Sequence, residues 1–240
     1  MQTPAIPAHL LDDIECCVFD LDGTVTRTEL QHRRAWHEAI RTTLGEGVFT
    51  PADYHELDGL PPVPALREFA ARRRCLLPDG EANDNPHRAT AAGIVARKRE
   101  LYADMLAREG ADPYPGTLHL LRRLKNRGIP LAVVSASASC RQVLLGAGLS
   151  STFDVIVDGT DIQRQGLRGK PEPDCFLHAV TLLGSRPDRC AVFEDAPSGL
   201  RAARRGGFAP VIAIDRSGQA PRLLAEEPDI LVYDLAQLLS

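Results

Sequence analysis

The order of apolar and polar residues along the chain predicts strands that alternate with helices. Short apolar runs rich in β-branched residues recur at residues 14–19, 130–134, 155–157, 190–193, 210–214 and 230–232. Stretches with helical periodicity lie at residues 117–127, 140–147, 174–183, 198–205 and 220–226. Near-continuous apolar strands that alternate with helices are typical of an α/β protein with a parallel sheet covered on both faces. Functional sites of such sheets lie at the carboxyl ends of the strands.

This alternation is interrupted once, between residues 30 and 112, where no strand pattern stands out. Helical periodicity dominates there, at residues 30–44, 63–73 and 89–109, and Pro- and Gly-rich segments separate the three stretches. We therefore predict a core made of residues 1–27 and 113–240, and a helical insert made of residues 28–112. Such an insert, joined to a core by two connections, is a natural lid with a hinge.

Composition and charge exclude several classes of protein. The chain has 240 residues, of which 44% are hydrophobic and 25% are charged, and its net charge is -4. No basic stripe with interleaved aromatic residues indicates nucleic acid as a partner. No apolar run is long enough to span a bilayer, and residues 1–14 lack the apolar segment of a secretory signal. The six cysteines include no C-x-x-C pair, and three of them lie in apolar runs, so we expect reduced core thiols in a cytoplasmic protein. We also expect a monomer.

The first candidate site follows the first predicted strand. Side chains alternate on an extended backbone, so Asp20 and Asp22 face the same way while Leu21 turns into the core. Two close carboxylates repel each other unless a cation or a shared proton intervenes, and Mg²⁺ prefers such hard oxygen ligands. A carboxylate can also attack a phosphoryl group and form an aspartyl-phosphate. The alternative is an ordinary Asp-Gly turn, formed here with Gly23.

Polar residues follow two further strands, and a lysine lies between them. Ser135 can donate a hydrogen bond to a phosphoryl oxygen, although a serine at a strand end is more often a turn or N-cap residue. Lys170 precedes a proline-fixed segment and could direct a point charge at an anion, although a surface lysine is the alternative. Glu194 and Asp195 end another buried strand, where Asp195 is a candidate metal ligand and Glu194 could bind the metal or orient its waters; a plain N-cap role for Asp195 is the alternative.

Three other acidic positions are interpreted as structural. Asp174 is predicted to cap the helix that follows it. Asp158 and Asp161 follow another strand and are interpreted as loop residues, with a supporting role behind the metal ligands as the alternative. The three strand ends that carry acids or a hydroxyl should meet at one edge of the sheet, together with Lys170. Chance agreement at all four places is much less probable than at one.

The ordered motifs resemble those of the haloacid dehalogenase (HAD) superfamily. The residues that carry the resemblance are Asp20-Leu21-Asp22-Gly23-Thr24, Ser135, Lys170 and Glu194-Asp195. Membership implies a Rossmann-like three-layer core with an inserted α-helical cap. It also implies a Mg²⁺ ion held by Asp20, the backbone carbonyl of Asp22, and Asp195 with Glu194. Ser135, Ala136 and Lys170 would bind phosphoryl oxygens, Asp20 would be the nucleophile, and Asp22 would transfer protons.

A narrower resemblance is to the β-phosphoglucomutase-like subfamily of this superfamily. It rests on residues 28–36, Tyr114-Pro115-Gly116, Ser135-Ala136-Ser137 and Glu194-Asp195. The resemblance implies a small phosphorylated sugar as the partner, with His32, Trp36 and Lys98 of the cap as candidate substrate residues. Trp36 also fits the core of the cap, and His32 also fits a solvent-facing helix position.

The cap loop departs from the subfamily pattern. After Asp58-Gly59 the relatives carry a Lys and an Arg, and the Arg grips the distal phosphate of the substrate, whereas this chain has Leu60, Pro61 and Pro62. Arg67 or Lys98 could replace that anchor. The departure weakens the mutase prediction, so a phosphosugar phosphatase without mutase activity is the alternative. A catalytically inactive sugar-phosphate-binding protein is less favoured, and so is a dehalogenase, which needs neither Mg²⁺ nor Asp22.

Overall fold

The structure is a computed structural model that describes residues 9–239, apart from the side chain of Pro51. The prediction for residues 1–8 therefore lies outside the described residues. Contacts divide the chain into two compact units, one of Met1–Arg27 with Ala111–Ser240 and one of Thr28–Gly110. We call the first the sheet unit and the second the helical unit. No helix between residues 9 and 239 is both long and apolar enough to cross a bilayer.

The sheet unit contains a parallel sheet. Within residues 9–239 its six strands are β1 (Cys16–Phe19), β2 (Leu131–Val134), β3 (Val155–Val157), β4 (Cys190–Glu194), β5 (Val211–Ile214) and β6 (Ile230–Val232). They lie in the order β3-β2-β1-β4-β5-β6. The chain runs outward from β1 through β2 to β3 and then returns to β4 on the other side. The strand order therefore reverses between β1 and β4, which is the position where ligands bind in open parallel sheets.

Helices connect the strands of the sheet unit. They are α4 (Pro115–Asn126), α5 (Cys140–Gly146), α6 (Gly159–Arg164), α7 (Asp174–Leu182), α8 (Pro197–Arg205) and α9 (Ala220–Leu224), with 3-10 turns at Pro187–Arg189 and Leu235–Leu239. An apolar cluster joins one face of the sheet to residues of α7, α8 and α9. All residues of β1, β2, β4 and β5 are buried, as expected for strands that are covered on both faces.

The register of β1 and β4 aligns the ends of these two strands. Phe19 pairs with Phe193 across the sheet, and their rings stack with centroids 4.3 Å apart. Asp20 and Glu194 are the residues that directly follow Phe19 and Phe193, so their backbones lie next to each other on neighbouring strands. The buried phenylalanine pair thus places two acidic residues next to each other at the strand ends.

The helical unit has an apolar core of its own. It contains α1 (Glu29–Leu44), α2 (Pro62–Arg72), α3 (Ala91–Glu109) and a 3-10 turn at Pro51–Glu56. Phe49 and Phe69 pack edge to face at 5.3 Å within a cluster that also includes Trp36. The guanidinium of Arg73 lies 3.9 Å from the centre of the Phe69 ring, so this arginine covers the core rather than forming a binding patch.

The interpretations of three acidic residues from the sequence are wrong. Asp161 is not a loop residue, because it lies within α6. Asp158 is not a loop residue but the N-cap of α6, where its carboxylate accepts hydrogen bonds from the backbone N–H groups of Thr160 and Asp161, each at 2.9 Å. Asp174 is not an N-cap, because α7 begins at Asp174 itself. Its carboxylate instead accepts a hydrogen bond from the guanidinium of Arg168 at 2.8 Å. All six cysteines lie within the described residues as free thiols.

Replacing Phe69 by alanine should destabilise the helical unit. Its side chain is fully buried, so the cavity left by Phe69→Ala should lower the free energy of unfolding of this unit by about 3–5 kcal/mol. Trp36 is the one tryptophan of the chain and belongs to the same unit, so its fluorescence during urea denaturation reports the effect. Leu76→Ala is the control, because Leu76 is 99% exposed. Equal denaturation midpoints for the two variants would contradict the assigned core.

Candidate active site

The ends of β1 and β4 bring acidic residues and one buried lysine together. The ammonium of Lys170 donates hydrogen bonds to Oδ1 of Asp20 and to Oε2 of Glu194, the latter at 2.7 Å. Only 2% of the lysine side chain is exposed, so the alternative of a surface lysine is excluded. The ring of Phe176 lies 5.0 Å from Nζ and closes one side of the ion pair.

The carboxylates of this site crowd one another. One oxygen each of Asp20, Glu194 and Asp195 lies within 4.8 Å of the others. Burial, and next the negative charge of Glu194, raise the pKa of Asp20 well above its usual range, while Lys170 acts in the opposite direction. Three carboxyl groups share one ammonium at this point, so a second cation would relieve their mutual repulsion and favour the ionised form of Asp20.

Lys170 keeps its positive charge in this environment. Burial lowers its pKa, but the carboxylates of Asp20 and Glu194 outweigh burial and raise the pKa above the usual value for lysine. The ammonium is therefore protonated at neutral pH. It can stabilise an anionic group beside Asp20 as well as the carboxylate itself.

The donor set fits Mg²⁺. The cluster offers carboxylate oxygens and no sulfur or imidazole ligand, which suits a hard divalent cation. Two glycines give the carboxylates the space they occupy. A Cβ atom on Gly23 would lie 2.0 Å from Oδ2 of Asp195, and a Cβ on Gly199 would lie 1.9 Å from Oε2 of Glu194. The φ angle of Gly23 is +91°, which a residue with a side chain would adopt only with strain.

The end of β2 joins the same site. The hydroxyl of Ser135 donates a hydrogen bond to Oδ2 of Asp22 at 3.3 Å and accepts one from the N–H of Ser137 at 3.1 Å. The carbonyl of Ala136 lies 2.4 Å from the position of a Cβ on Gly159, so glycine is needed there for the loop to pack closely. The structure thus brings together the six polar sheet-unit residues predicted for the site, Asp20, Asp22, Ser135, Lys170, Glu194 and Asp195. A role of the Ala136 backbone toward a phosphoryl group stays a prediction.

Sequence reasoning missed residues that orient the acids. The hydroxyl of Thr24 donates to Oδ1 of Asp195 at 3.2 Å, and the N–H of Ala196 donates to Oε1 of Glu194 at 3.1 Å. Gly199 makes the room described above. A glycine inside a predicted helix, where alanine is favoured, was a usable signal for this close approach.

The cap candidates lie together inside the helical unit. Nζ of Lys98 is 2.6 Å from Nδ1 of His32, and the His32 ring stacks on Tyr102 with centroids 3.9 Å apart. His32 is 6% exposed, so the solvent-facing alternative is wrong. Trp36 belongs to the apolar core of the unit, and its ring centre is 5.5 Å from Nζ of Lys98. Roles of these residues toward a substrate stay predictions.

A parallel sheet with acidic residues and a buried lysine at its strand ends is typical of an α/β enzyme. Comparison with known families identifies which one. The family model of haloacid dehalogenase-like hydrolases matches residues 14–207. The chain therefore belongs to the haloacid dehalogenase-like hydrolase family, and it is an enzyme of the phosphatase and phosphomutase type. The predicted α/β fold and superfamily are confirmed.

Similar proteins place the chain in the β-phosphoglucomutase-like group. The β-phosphoglucomutase of Mycobacterium bovis is 38% identical over 244 residues, which cover 96% of this chain and 93% of the relative. Hexitol phosphatase A of Escherichia coli K12 is 30% identical, covering 92% of this chain and 91% of the relative. The solved structure of a β-phosphoglucomutase from Clostridium difficile has a TM-score of 0.75 at 22% identity, covers 94% of this chain and 93% of that chain, and shows the same fold.

Replacing Gly199 by alanine should weaken binding of a divalent cation. The new methyl group would push the carboxylate of Glu194 away from Lys170, so we expect the dissociation constant for Mg²⁺ to rise by about tenfold or more, as for other changes beside a metal site. Calorimetric titration with Mg²⁺ measures this.

Gly146→Ala is the matched control for this substitution. Gly146 is also helical, and nothing lies within 4 Å of the position that its Cβ would take, so Mg²⁺ binding should be unchanged. Equal affinities of both variants for Mg²⁺ would show that the position of Glu194 does not matter for the cation.

Proposed function

We propose that this enzyme transfers a phosphoryl group from a small phosphorylated sugar through an aspartyl-phosphate on Asp20, with Mg²⁺ as cofactor. The observation that carries the proposal is the cluster in which the buried ammonium of Lys170 pairs with Asp20 and Glu194, while Asp195 places a third carboxylate beside these two acids. A carboxylate nucleophile, a fixed cation and spare acidic oxygens are the parts that phosphoryl transfer needs. The relatives named above support the substrate class, since their names denote reactions of phosphorylated sugars or sugar alcohols.

The first half-reaction transfers the phosphoryl group to the enzyme. A carboxylate oxygen of Asp20 attacks phosphorus, and the bond from phosphorus to the sugar oxygen breaks. Asp22, in its protonated form, donates its proton to the leaving oxygen. The hydrogen bond from Ser135 orients the Asp22 carboxyl before the substrate binds, and the single hydroxyl proton of Ser135 then turns to a phosphoryl oxygen.

The second half-reaction returns Asp20 to its free form. The oxygen of an acceptor attacks phosphorus, Asp22 takes the proton of that acceptor, and the bond between phosphorus and Asp20 breaks. Lys170, Ser135 and the backbone of Ala136 bind the phosphoryl oxygens during both steps. Mg²⁺, held by Asp20, Asp195 with Glu194, and the backbone carbonyl of Asp22, would neutralise charge that develops on the transferring group.

The identity of the acceptor separates a mutase from a phosphatase. The overall similarity to the mycobacterial β-phosphoglucomutase favours a sugar hydroxyl as the acceptor. The helical unit favours water as the acceptor, because apolar residues stand where the relatives carry the distal phosphate anchor. Leu60 packs against the apolar core of the unit, and Pro62 begins α2. Both cations that could replace the distal anchor are engaged, because Arg67 pairs with Asp79 at 3.1 Å and Lys98 contacts His32. A phosphosugar phosphatase is therefore the second candidate function.

Replacing Asp20 by asparagine should abolish turnover of p-nitrophenyl phosphate in the presence of Mg²⁺. Asparagine keeps the shape but is not a nucleophile, so we expect a fall in kcat of about 10⁴-fold or more, as for loss of other catalytic nucleophiles. Asp79→Asn is the control, since Asp79 belongs to an exposed ion pair of the helical unit. Equal rates for wild type and Asp20→Asn would exclude Asp20 as the nucleophile.

A panel of phosphorylated sugars should separate the two candidate functions. With glucose 1-phosphate and a hexose bisphosphate activator, a mutase forms glucose 6-phosphate, whereas a phosphatase releases inorganic phosphate and forms no isomer. Each sugar is assayed for both products. Protein that hydrolyses p-nitrophenyl phosphate but forms neither inorganic phosphate nor an isomer from any of the sugar phosphates would contradict the substrate class.

A further inference from the structure

Arg216 joins three loops at the carboxyl edge of the sheet. It lies two residues beyond β5, where its Nη1 donates to the carbonyl of Tyr233 at 2.9 Å and to Oδ2 of Asp234 at 3.1 Å. Its Nε donates a longer hydrogen bond, at 3.4 Å, to the carbonyl of Gly23. The side chain thus links the loops that follow β5 and β6 to the loop that carries Asp20 and Asp22.

The burial of this guanidinium is unusual for an arginine near a protein surface. Only 9% of the side chain is exposed, and its Cζ lies 3.8 Å from the centre of the Tyr114 ring. Its Nη2 is buried and has no hydrogen-bond partner among residues 9–239.

The end of Arg216 that faces Asp234 has a fixed support. Oδ1 of Asp234 accepts a hydrogen bond from the N–H of Ala236 at 2.7 Å. The same oxygen lies 1.7 Å from the position that a Cβ on Gly116 would take, so the carboxylate is tightly enclosed. Arg216 therefore connects the fixed carboxylate of Asp234 to the loop after β1.

The loop after β1, which Arg216 contacts through Gly23, carries the proposed metal ligands Asp20 and Asp22. The Gly23 N–H donates to the carbonyl of Thr26 at 2.8 Å, and Thr117 donates its hydroxyl to the carbonyl of Thr24 at 2.9 Å. Thr24 in turn holds Asp195 through its hydroxyl. The carbonyl of Gly23, which directly precedes Thr24, accepts the hydrogen bond from Arg216.

Because of Gly23, the backbone of residues 22–24 depends on hydrogen bonds from other parts of the chain to keep its conformation. Gly23 has a φ of +91° and the conformational freedom of a residue without Cβ. A change in its backbone would turn the adjacent carbonyl of Asp22 and shift Thr24 against Asp195. A hydrogen bond to the Gly23 carbonyl limits such changes.

We propose that Arg216 is a positioning residue for the cation site: by holding the carbonyl of Gly23 it sets the orientation of the Asp22 carbonyl and of the Asp195 carboxylate. This inference rests on the proposed function for the identity of the cation as Mg²⁺. In the described part of the chain, the hydrogen bonds of Arg216 go to Gly23, Tyr233 and Asp234, and none goes to Asp20, Glu194 or Asp195.

The test compares Mg²⁺ binding by Arg216→Ala, Arg216→Lys and Arg123→Ala. Arg123 is the matched control, because it also donates to a backbone carbonyl of the sheet unit, that of Leu239 at 2.8 Å, but at an exposed position. Binding of Mg²⁺ alone is measured by calorimetric titration and by the rise in unfolding temperature that Mg²⁺ causes. Activity against p-nitrophenyl phosphate is measured as a function of Mg²⁺ concentration.

We expect Arg216→Ala to raise the dissociation constant for Mg²⁺ about tenfold, the lower end of the range for residues that orient metal ligands. Most of the lost activity should return at saturating Mg²⁺. Arg216→Lys should give a smaller shift in the same direction, because lysine keeps the charge but lacks the planar fork. Arg123→Ala should leave Mg²⁺ binding unchanged.

An unchanged Mg²⁺ dissociation constant in Arg216→Ala, with or without a lower unfolding temperature, would overturn the inference and leave Arg216 a purely structural residue. If Arg216→Ala does not fold, Arg216→Lys decides the question by the same criterion. A wild-type protein that binds no Mg²⁺ would instead overturn the proposed function and this inference with it. The two failures are therefore distinguishable.

Discussion

The interaction on which the rest of the site depends is the buried ion pair of Lys170 with Asp20 and Glu194. Carboxylates held together at the ends of buried strands repel each other and lose their hydration, so they need a permanent positive charge beside them. Lys170 supplies that charge from a position 150 residues away in sequence from Asp20. One ammonium does not balance three carboxylates, and the remaining negative charge makes the site suitable for a divalent cation and, with it, for a phosphoryl group.

The topology of the sheet creates this closeness. The order of strands reverses between β1 and β4, and the stacked pair of Phe19 and Phe193 sets the register of their ends. The acidic residues that follow are then neighbours whatever the length of chain between them. Gly23 and Gly199 remove the side chains that would occupy the space of the carboxylates. The chemistry of the site thus follows from packing in the sheet, and the loops add orientation.

Much of this could be predicted from the sequence, because the strands are strongly apolar and have clear ends. The predicted strands 155–157 and 230–232 coincide with Val155–Val157 and Ile230–Val232. Helix α6 was missed because it buries none of its residues and so shows no apolar periodicity. The burial of His32 depends on its stacking with Tyr102, 70 residues further along the chain, and the positions of Thr24 and Arg216 depend on contacts between loops. Such information arises only when distant segments meet, so no local pattern carries it.

The account is tested most directly by crystals grown with Mn²⁺ in place of Mg²⁺, since Mn²⁺ accepts the same oxygen ligands and gives an anomalous signal. The account predicts one strong anomalous peak within coordination distance of the carboxylates of Asp20 and Asp195 and of the backbone carbonyl of Asp22. Crystals saturated with Mn²⁺ that show no peak among these oxygens would contradict it.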